Sequence, residues 1–187
     1  MNEDVALTPA GERLLAAASD LFYDRGIRAV GVDLIAETAG TTKKTLYDRF
    51  GSKDALVALY LRRRAERWQA FLQERLDARP PGPDRVLAVF DALRDRLAQQ
   101  NRGCAFVNAY AELGGTDHPG VLVVRADKSY MRELFVRLAG EAGVGDPVRV
   151  GTHLHLLYEG ATVALTAGGQ SDALPSARDA AARLLEG

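Results

Sequence analysis

The stretch TTKKTLYDRFGSKDAL, residues 41–56, concentrates side chains that bind phosphate. It carries three lysines, an arginine, a tyrosine and several hydroxyl groups among apolar residues that favour a helix. Cationic side chains neutralise phosphate charge, and hydroxyl groups donate hydrogen bonds to phosphate oxygens. The residues suited to this chemistry are Thr41, Thr42, Lys43, Lys44, Thr45, Tyr47, Arg49 and Lys53. Their clustering predicts a surface that binds a polyanion.

Charge is unevenly distributed along the 187 residues. Residues 41–68 contain eight basic and three acidic side chains, a net charge of +5, whereas the whole chain has a formal net charge of −1. A basic segment within an otherwise acidic chain favours one localised polyanion site. A solvated basic helix face explains the charge alone equally well.

Helical periodicity dominates the chain, and the predicted fold class is all-α. Thr8 and Pro9 predict the start of a first helix that ends at Gly26, and Gly40 ends a short second helix. Ser52 caps a long fourth helix that runs to the RPPGP break at residues 79–83. Further helices are predicted over residues 84–100, 104–113, 120–139, 146–167 and 171–185.

Two short helices at residues 33–38 and 42–50, separated by a tight turn, predict a helix-turn-helix. Leu46 and Phe50 are four residues apart and face the core, while the polar residues cluster at the amino end. That layout suits a recognition helix in a DNA groove, with the Tyr47 hydroxyl reaching a phosphate. The predicted domains are a DNA-binding domain at residues 1–53 and a helical ligand-binding and dimerisation domain at residues 54–187.

Residues 14–61 closely resemble the amino-terminal domain of the TetR family of bacterial transcriptional repressors. The resemblance rests on the LF...G pair, the IA..AG turn, the TLY..F helix and the GSKDAL run, in order and at the family's spacing. It implies a three-helix DNA-binding head, a long fourth helix, and a larger helical body that dimerises and usually holds a small-molecule pocket. RGCAFVNAYAELG, DHPG and DP...L..LYEGA are similar to one branch of the family.

Four positions depart from the family pattern. Gly31 stands where many members carry Ser or Thr, and Leu34 stands where many carry an acid, so a hydroxyl cap and a phosphate contact are missing. Lys44 replaces a common glycine and Arg49 a common histidine. Because both changes add charge at the groove, we expect altered operator preference and retained binding.

The segment at residues 148–167 is apolar nearly all round, and a second apolar stripe follows near the carboxyl end. Together they predict a four-helix dimer interface and, through two-fold symmetry, a palindromic double-stranded DNA operator. The alternative is that both helices complete the core of a single chain. The predicted interface residues are Gly151, Leu154, Ala161, Leu165, Leu174, Ala177, Ala181 and Leu184.

Aromatic residues between the fourth helix and the dimer helices are candidates for a ligand cavity, although most of them suit a core equally well. A few polar residues would supply specific contacts, and an apolar cavity would favour a hydrophobic or amphipathic effector. The candidates are Trp68, Phe71, Phe90, Phe106, Asn108, Tyr110, Glu112, Phe135, His155 and Tyr158.

These features predict a repressor that binds its operator as a homodimer and is released by a small-molecule effector. Repression is implied only by the resemblance, and the sequence leaves activation open. A helical interaction module without DNA binding is an alternative that would not need the residues between Thr41 and Lys53.

An enzyme is the main alternative from another class, because Glu112, Asp117, His118, His153, His155 and Tyr158 include acid-base and metal-ligating types. His153 and His155 are two residues apart, whereas two ligands on one helix face must be three or four residues apart. No GxSxG, HExxH or phosphate-binding glycine loop is present. We therefore expect no catalytic residues, no metal and no cofactor, with His118 as a loop residue.

Cys104 is the only cysteine, which excludes an internal disulfide. Its predicted position at the start of a helix, near Arg102, would suit a redox switch, although a small buried thiol is the simpler interpretation. The amino terminus lacks the basic and apolar regions of an export signal, and no apolar run approaches the length of a membrane span. We expect a bacterial cytoplasmic protein.

Overall fold

A computed structural model describes residues 7–100 and 102–186. The regular structure of these residues is α-helical throughout, which confirms the all-α prediction. The prediction about an export signal concerns in part residues 1–6, which lie outside the described residues. The helices are α1 Pro9–Arg25, α2 Val32–Thr38, α3 Lys43–Phe50, α4 Lys53–Asp77, α5 Pro83–Leu97, α6 Ala105–Leu113, α7 Pro119–Glu141, α8 Pro147–Thr166 and α9 Ala173–Glu186.

Local capping signals set the limits of the early helices. The Thr8 hydroxyl accepts a hydrogen bond from the Gly11 amide at 3.3 Å, and Pro9 occupies the first helical position. The Ser52 hydroxyl accepts from the Ala55 amide at 3.0 Å and caps α4. Gly40 has φ +61°, a left-handed conformation that favours glycine, and it ends α2 as predicted.

The chain divides into two compact units. The first comprises residues 7–65 and 105–124, and the second comprises residues 66–104 and 125–186. This division differs from the predicted boundary at residue 53, because the start of α4, all of α6 and the start of α7 belong to the first unit. Sequence order alone gave no sign that α6 would belong to the same unit as the first three helices.

The core of the first unit is built from the apolar faces of its helices. Leu14 of α1, Ile35 of α2, Leu46 of α3 and Leu56 of α4 are all fully buried. Burying each of these side chains contributes roughly 1.5–3 kcal/mol. This burial stabilises α2 and α3, which at seven and eight residues are too short to be stable alone.

The second unit has its own core, formed by α5, α8, α9 and the parts of α4 and α7 that belong to it. Phe90, Phe135 and Tyr158 pack as an aromatic group, with ring centroids 5.7 Å apart for Phe90–Phe135 and for Phe135–Tyr158. A side chain at Gly151 would place its Cβ 2.5 Å from the Val136 Cα, so this glycine permits close contact between α8 and α7. None of the helices described is both long and apolar enough to cross a lipid bilayer.

Candidate nucleic-acid interface

The turn between α2 and α3 is closed by backbone hydrogen bonds. The Thr41 amide donates to the Ala36 carbonyl at 2.9 Å, and the Gly40 amide donates to the Glu37 carbonyl at 3.0 Å. At the other end of α2, Gly31 occupies the N-cap position and forms no side-chain cap. The missing hydroxyl cap is therefore as predicted from the sequence.

The amino end of α3 is set by Thr42. Its hydroxyl accepts from the Thr45 amide at 3.2 Å and lies 2.9 Å from the Thr45 hydroxyl. One side of α3 is buried through Leu46 and Phe50, as their spacing predicts. The opposite side of α3 carries the exposed Lys43, Lys44, Tyr47 and Arg49. Together with the exposed Thr42 and the half-buried Thr41 and Thr45, they form what we call the head surface.

The two lysines of the head surface have exposed acidic neighbours. Lys43 Nζ lies 3.2 Å from Asp33 Oδ2, and Lys44 Nζ lies 2.6 Å from Asp48 Oδ2. Ion pairs between exposed side chains contribute about 0–1 kcal/mol, so exchanging these carboxylates for phosphate oxygens costs little. The Tyr47 side chain is 43% exposed, which leaves its hydroxyl accessible to a ligand.

Lys53 differs from the other predicted phosphate ligands. Its ammonium group donates to the Ile27 carbonyl at 2.7 Å and lies 5.9 Å from the centroid of the Phe22 ring. Burial lowers the pKa of Lys53, although the neighbouring Asp54 and Glu112 act in the opposite direction. Lys53 therefore binds the protein's own backbone at the connection between α1 and α2.

Two side chains near that connection have contacts that the sequence did not predict. Glu112 of α6 accepts hydrogen bonds from the Ile27 amide at 3.0 Å and from the Arg28 amide at 2.7 Å. His118 is largely buried, and its Nε2 lies 3.3 Å from Asp54 Oδ1 at the start of α4. No local pattern could have revealed either contact, because the partners are 64 to 85 residues apart in sequence.

The ten predicted pocket residues divide between the two units. Phe106, Asn108, Tyr110 and Glu112 belong to α6 in the first unit, where Asn108 and Glu112 line a cavity of about 10 Å³, enough for a single water molecule. The other six belong to the second unit, where Trp68 stacks on Phe71 with ring centroids 5.6 Å apart. Those six are Trp68, Phe71, Phe90, Phe135, His155 and Tyr158.

A second group of charged and polar side chains lies within the second unit. We call it the buried polar cluster and define it as Asp127, Lys128, His155, Tyr158 and Glu159. Lys128 Nζ is 2.8 Å from both carboxylate oxygens of Glu159, and His155 Nε2 is 3.5 Å from Glu159 Oε1. Asp127 is 5% exposed, and its Oδ1 has no hydrogen-bond partner among the described residues.

Burial sets the titration of this cluster. It raises the pKa of Asp127 to about 6, and it raises the pKa of the Tyr158 hydroxyl well above its usual value. For Glu159 burial also acts upwards, but hydrogen bonds and charge from His155 and Lys128 lower its pKa overall. Burial would lower the pKa of Lys128, yet the adjacent Cys104 and Glu159 raise it overall.

Most of the predicted dimer residues are covered within their own chain. Leu154, Ala161, Leu174, Ala177 and Ala181 are buried in the core of the second unit, Leu165 and Leu184 pack against that core, and Gly151 contacts Val136. The exposed apolar residues of α8 are instead Val148, Leu156 and Val163, at spacings that place them on one side of the helix. An open groove of about 530 Å³ between α8 and α9 is lined by His153, Leu156, Leu157, Ala180, Arg183 and Leu184.

The residues considered for catalysis do not assemble into a metal site. No group of three or more His, Cys, Asp or Glu side chains is arranged to hold a metal ion within residues 7–100 and 102–186.

Cys104 directly precedes α6 and is partly exposed, with its Sγ 3.7 Å from Lys128 Nζ. His118, predicted to be a loop residue, lies in the connection between α6 and α7, where its Nδ1 accepts from the Gly120 amide at 2.9 Å.

Comparison with known proteins points to regulators. The family profile described as bacterial regulatory proteins, tetR family, matches residues 14–60. The transcriptional activator FasR of Mycolicibacterium smegmatis is 35% identical over 98 residues, which are 51% of this chain and 45% of FasR. The transcriptional repressor KstR2 of the same organism is 33% identical over 105 residues, which are 53% of this chain and 51% of KstR2. The chain thus spans about half the length of these curated relatives.

A solved structure resembles the chain over nearly its full length. The TetR-family transcriptional regulator SCO4454 of Streptomyces coelicolor is 31% identical and superimposes with a TM-score of 0.83. The match covers 95% of this chain and 93% of that protein. The similarity therefore extends over both units and is not limited to the helix-turn-helix.

Proposed function

The chain belongs to the TetR family of DNA-binding transcriptional regulators. We propose that it is a repressor that binds a palindromic operator as a homodimer. We further propose that a small-molecule effector releases it from the operator. As a member of a family of regulators, it is not an enzyme. Its curated relatives include both an activator and a repressor, so the direction of regulation is part of the proposal.

One observation supports the DNA-binding part of the proposal: α3 has one apolar, buried side and one cationic, exposed side. Its apolar side is buried through Leu46 and Phe50, whereas Lys43, Lys44 and Tyr47 are exposed together at and near its amino end. A helix with this polarity can enter the major groove with its amino end toward the base edges. The lysines supply the electrostatic attraction that dominates affinity for DNA.

The proposed dimer surface is the exposed side of α8 and α9. Val148, Leu156 and Val163 are apolar and between 46% and 62% exposed, which is uncommon for three residues on one side of a helix. A second copy of the chain is the occupant that two-fold symmetry favours, because both copies would offer the same apolar surface. A dimer would place two head surfaces on one duplex, about 34–36 Å or a multiple apart, and this spacing suits a palindrome.

The proposed effector binds within the helical body, where the six aromatic and polar candidates of the second unit lie. A small molecule can release the operator only if it binds more tightly to a conformation with low DNA affinity. Asp127 and Trp68 each have a buried polar atom without a hydrogen-bond partner among the described residues, and a ligand with polar groups could satisfy these atoms. Because most of the six candidates are aromatic, we propose a hydrophobic or amphipathic effector.

Selection of duplex DNA from a random pool by the purified protein tests the operator proposal. We expect the wild type to enrich a palindrome, and we expect Lys43→Ala and Tyr47→Ala to weaken binding about tenfold or more. Lys43→Ala should also reduce the salt dependence by about one unit of log–log slope for each phosphate contact that is lost. Arg149→Ala on α8 removes the same charge away from α3 and should change affinity less than about twofold.

Two outcomes would count against the proposal. If the folded wild-type protein enriches no duplex even at low salt, the operator function is wrong. If a broad panel of metabolites and drugs leaves operator affinity unchanged, release by an effector loses its support.

The dimer is tested by light scattering or sedimentation of the Leu156→Asp variant. A carboxylate buried in an apolar interface is unfavourable, so we expect a shift from dimer to monomer with the helical content retained. Leu122→Asp is the matched control, because Leu122 is also a strongly exposed leucine but lies on α7. A wild-type protein that is monomeric at every accessible concentration would contradict this part of the proposal.

A further inference from the structure

The connection between α1 and α2, residues 26–31, is held by a carboxylate from a distant helix. We call these residues the entry segment, because they lead directly into the helix-turn-helix. Glu112 Oε1 accepts from the Ile27 amide at 3.0 Å, and Glu112 Oε2 accepts from the Arg28 amide at 2.7 Å. Both oxygens of one side chain thus bind two consecutive backbone amides that lie between helices.

Lys53 holds the same segment through a different atom. Its ammonium group donates to the Ile27 carbonyl at 2.7 Å, while Glu112 accepts from the amide of that residue. Ile27 is therefore fixed at both of its backbone polar groups by charged side chains from α6 and α4. Hydrogen bonds to charged groups are stronger than those between neutral groups, so this arrangement strongly restricts the segment.

The shape of the segment is matched to the carboxylate. Gly26 has φ +92°, a conformation that side chains disfavour, and a Cβ added there would lie 3.0 Å from Glu112 Oε1. Glutamine has nearly the same shape as glutamate, but its amide offers one acceptor and would turn an N–H group toward a backbone N–H. The Glu112→Gln substitution therefore removes one of the two hydrogen bonds with almost no change in volume.

The entry segment also determines where α2 begins. Val30 is fully buried next to the N-cap residue Gly31, and α2 and α3 follow with only the closed turn between them. A displacement of residues 27 and 28 would consequently be passed to both helices of the helix-turn-helix.

We propose that Glu112 is a positioning residue for DNA binding, whose carboxylate holds the entry segment and thereby orients α3 on the duplex. This inference rests on the proposed DNA-binding function. It reassigns Glu112 from the ligand cavity predicted by the sequence to the support of the head surface. Glu112 acts through the backbone and does not itself contact DNA, whose phosphates would repel it.

The test compares specific and non-specific DNA affinity for the wild type, Glu112→Gln and Glu112→Asp. Loss of orientation should weaken binding to the selected palindrome about tenfold or more in Glu112→Gln. Affinity for a scrambled duplex should change less than about twofold, because the cationic side chains remain. Glu112→Asp keeps the charge with one methylene less, and it should give an intermediate loss.

Glu133→Gln provides a matched control for charge. Glu133 is exposed on α7, and its substitution should leave both affinities unchanged. A purely structural role for Glu112 would lower the fraction of active protein and so reduce the binding of both duplexes in the same proportion. Equal loss for the two duplexes, or no loss for the palindrome, would overturn the proposal.

Hydrogen exchange supplies a readout that does not depend on DNA. The Ile27 and Arg28 amides should be protected in the wild type and exchange about tenfold faster or more in Glu112→Gln, with smaller increases in α2 and none in α8. If the wild type selects no duplex, the proposed function has failed, and exchange then still decides whether Glu112 holds the entry segment. Unprotected Ile27 and Arg28 amides in the wild type would overturn it, even where the variant does not fold.

Discussion

The head surface and the buried polar cluster both contain lysine and tyrosine side chains, but in opposite environments. On the head surface, Lys44 pairs with Asp48 while both side chains are more than half exposed. In the cluster, Lys128 pairs with Glu159 at a nearly equal distance, but only about a quarter of each side chain is exposed. Two ion pairs of similar length thus differ in role: the exposed pair can exchange its carboxylate for a ligand, whereas the partly buried pair stabilises the folded chain. Solvent access, more than distance, makes this difference.

Asp127 provides the largest expected effect, because it is the buried acid of the cluster. Its pKa is about 6 in the folded protein, compared with 3.8 for an exposed aspartate such as the one in the unfolded chain. The folded state therefore binds the proton more tightly than the unfolded state does. The resulting stabilisation is complete below about pH 4 and is lost as the pH rises through about 6, with a total of about 3 kcal/mol. Asp127→Asn should remove this dependence and be the more stable protein at pH 7.

Urea unfolding between pH 4 and pH 7 measures the difference between the two proteins. The free energy of unfolding of the wild type should fall relative to Asp127→Asn as the pH rises. Asp172→Asn is the control, because Asp172 is exposed and its substitution should leave the curve parallel to that of the wild type. If the free energies of unfolding of the wild type and Asp127→Asn depended on pH in the same way, burial would not raise the pKa of Asp127, and the prediction would be wrong.

A pair of lysine substitutions compares the two regions directly. Lys128→Met removes the ammonium group that both Glu159 oxygens contact, leaving a partly buried carboxylate, and should destabilise the protein by about 1–3 kcal/mol. Lys44→Met removes an exposed pair and should change stability by less than about 0.5 kcal/mol. Denaturant unfolding at pH 7 measures both, and equal effects would contradict the distinction between the two regions.

The smallest expected effect concerns the uncapped start of α2. Gly31 has φ −82° and ψ 158°, and an added Cβ would contact nothing within 4 Å. Gly31→Ser should therefore cap α2 and stabilise the protein by about 0.5–1 kcal/mol. It also restores a hydroxyl group that can contact phosphate, so operator affinity should rise modestly.

Gly40→Ser is the matched control for this substitution. Gly40 has φ +61°, so a serine there should destabilise the protein by about 1–2 kcal/mol. Thermal unfolding of the two variants should thus shift in opposite directions. A loss of stability in Gly31→Ser would mean that the start of α2 is held in a shape that a serine cap does not fit.

The helix-turn-helix could be predicted in detail because its signals are local. The Thr42 cap, the left-handed Gly40 and the four-residue spacing of Leu46 and Phe50 all act within two helical turns. The same reasoning was less specific for α8, where an apolar pattern does not distinguish the buried Leu154 from the exposed Leu156. Periodicity identifies an apolar face but does not say whether the same chain covers it.

By itself, the sequence determined the all-α class, the limits of most helices and the exposed cationic end of α3, because capping and periodicity act between neighbouring residues. Only the tertiary structure decided that Glu112 binds the Ile27 and Arg28 amides and that α6 belongs to the first unit. It also decided which residues of α8 remain exposed. The physical reason is that these outcomes depend on which surfaces meet, and a contact between residues 85 positions apart leaves no periodic signal.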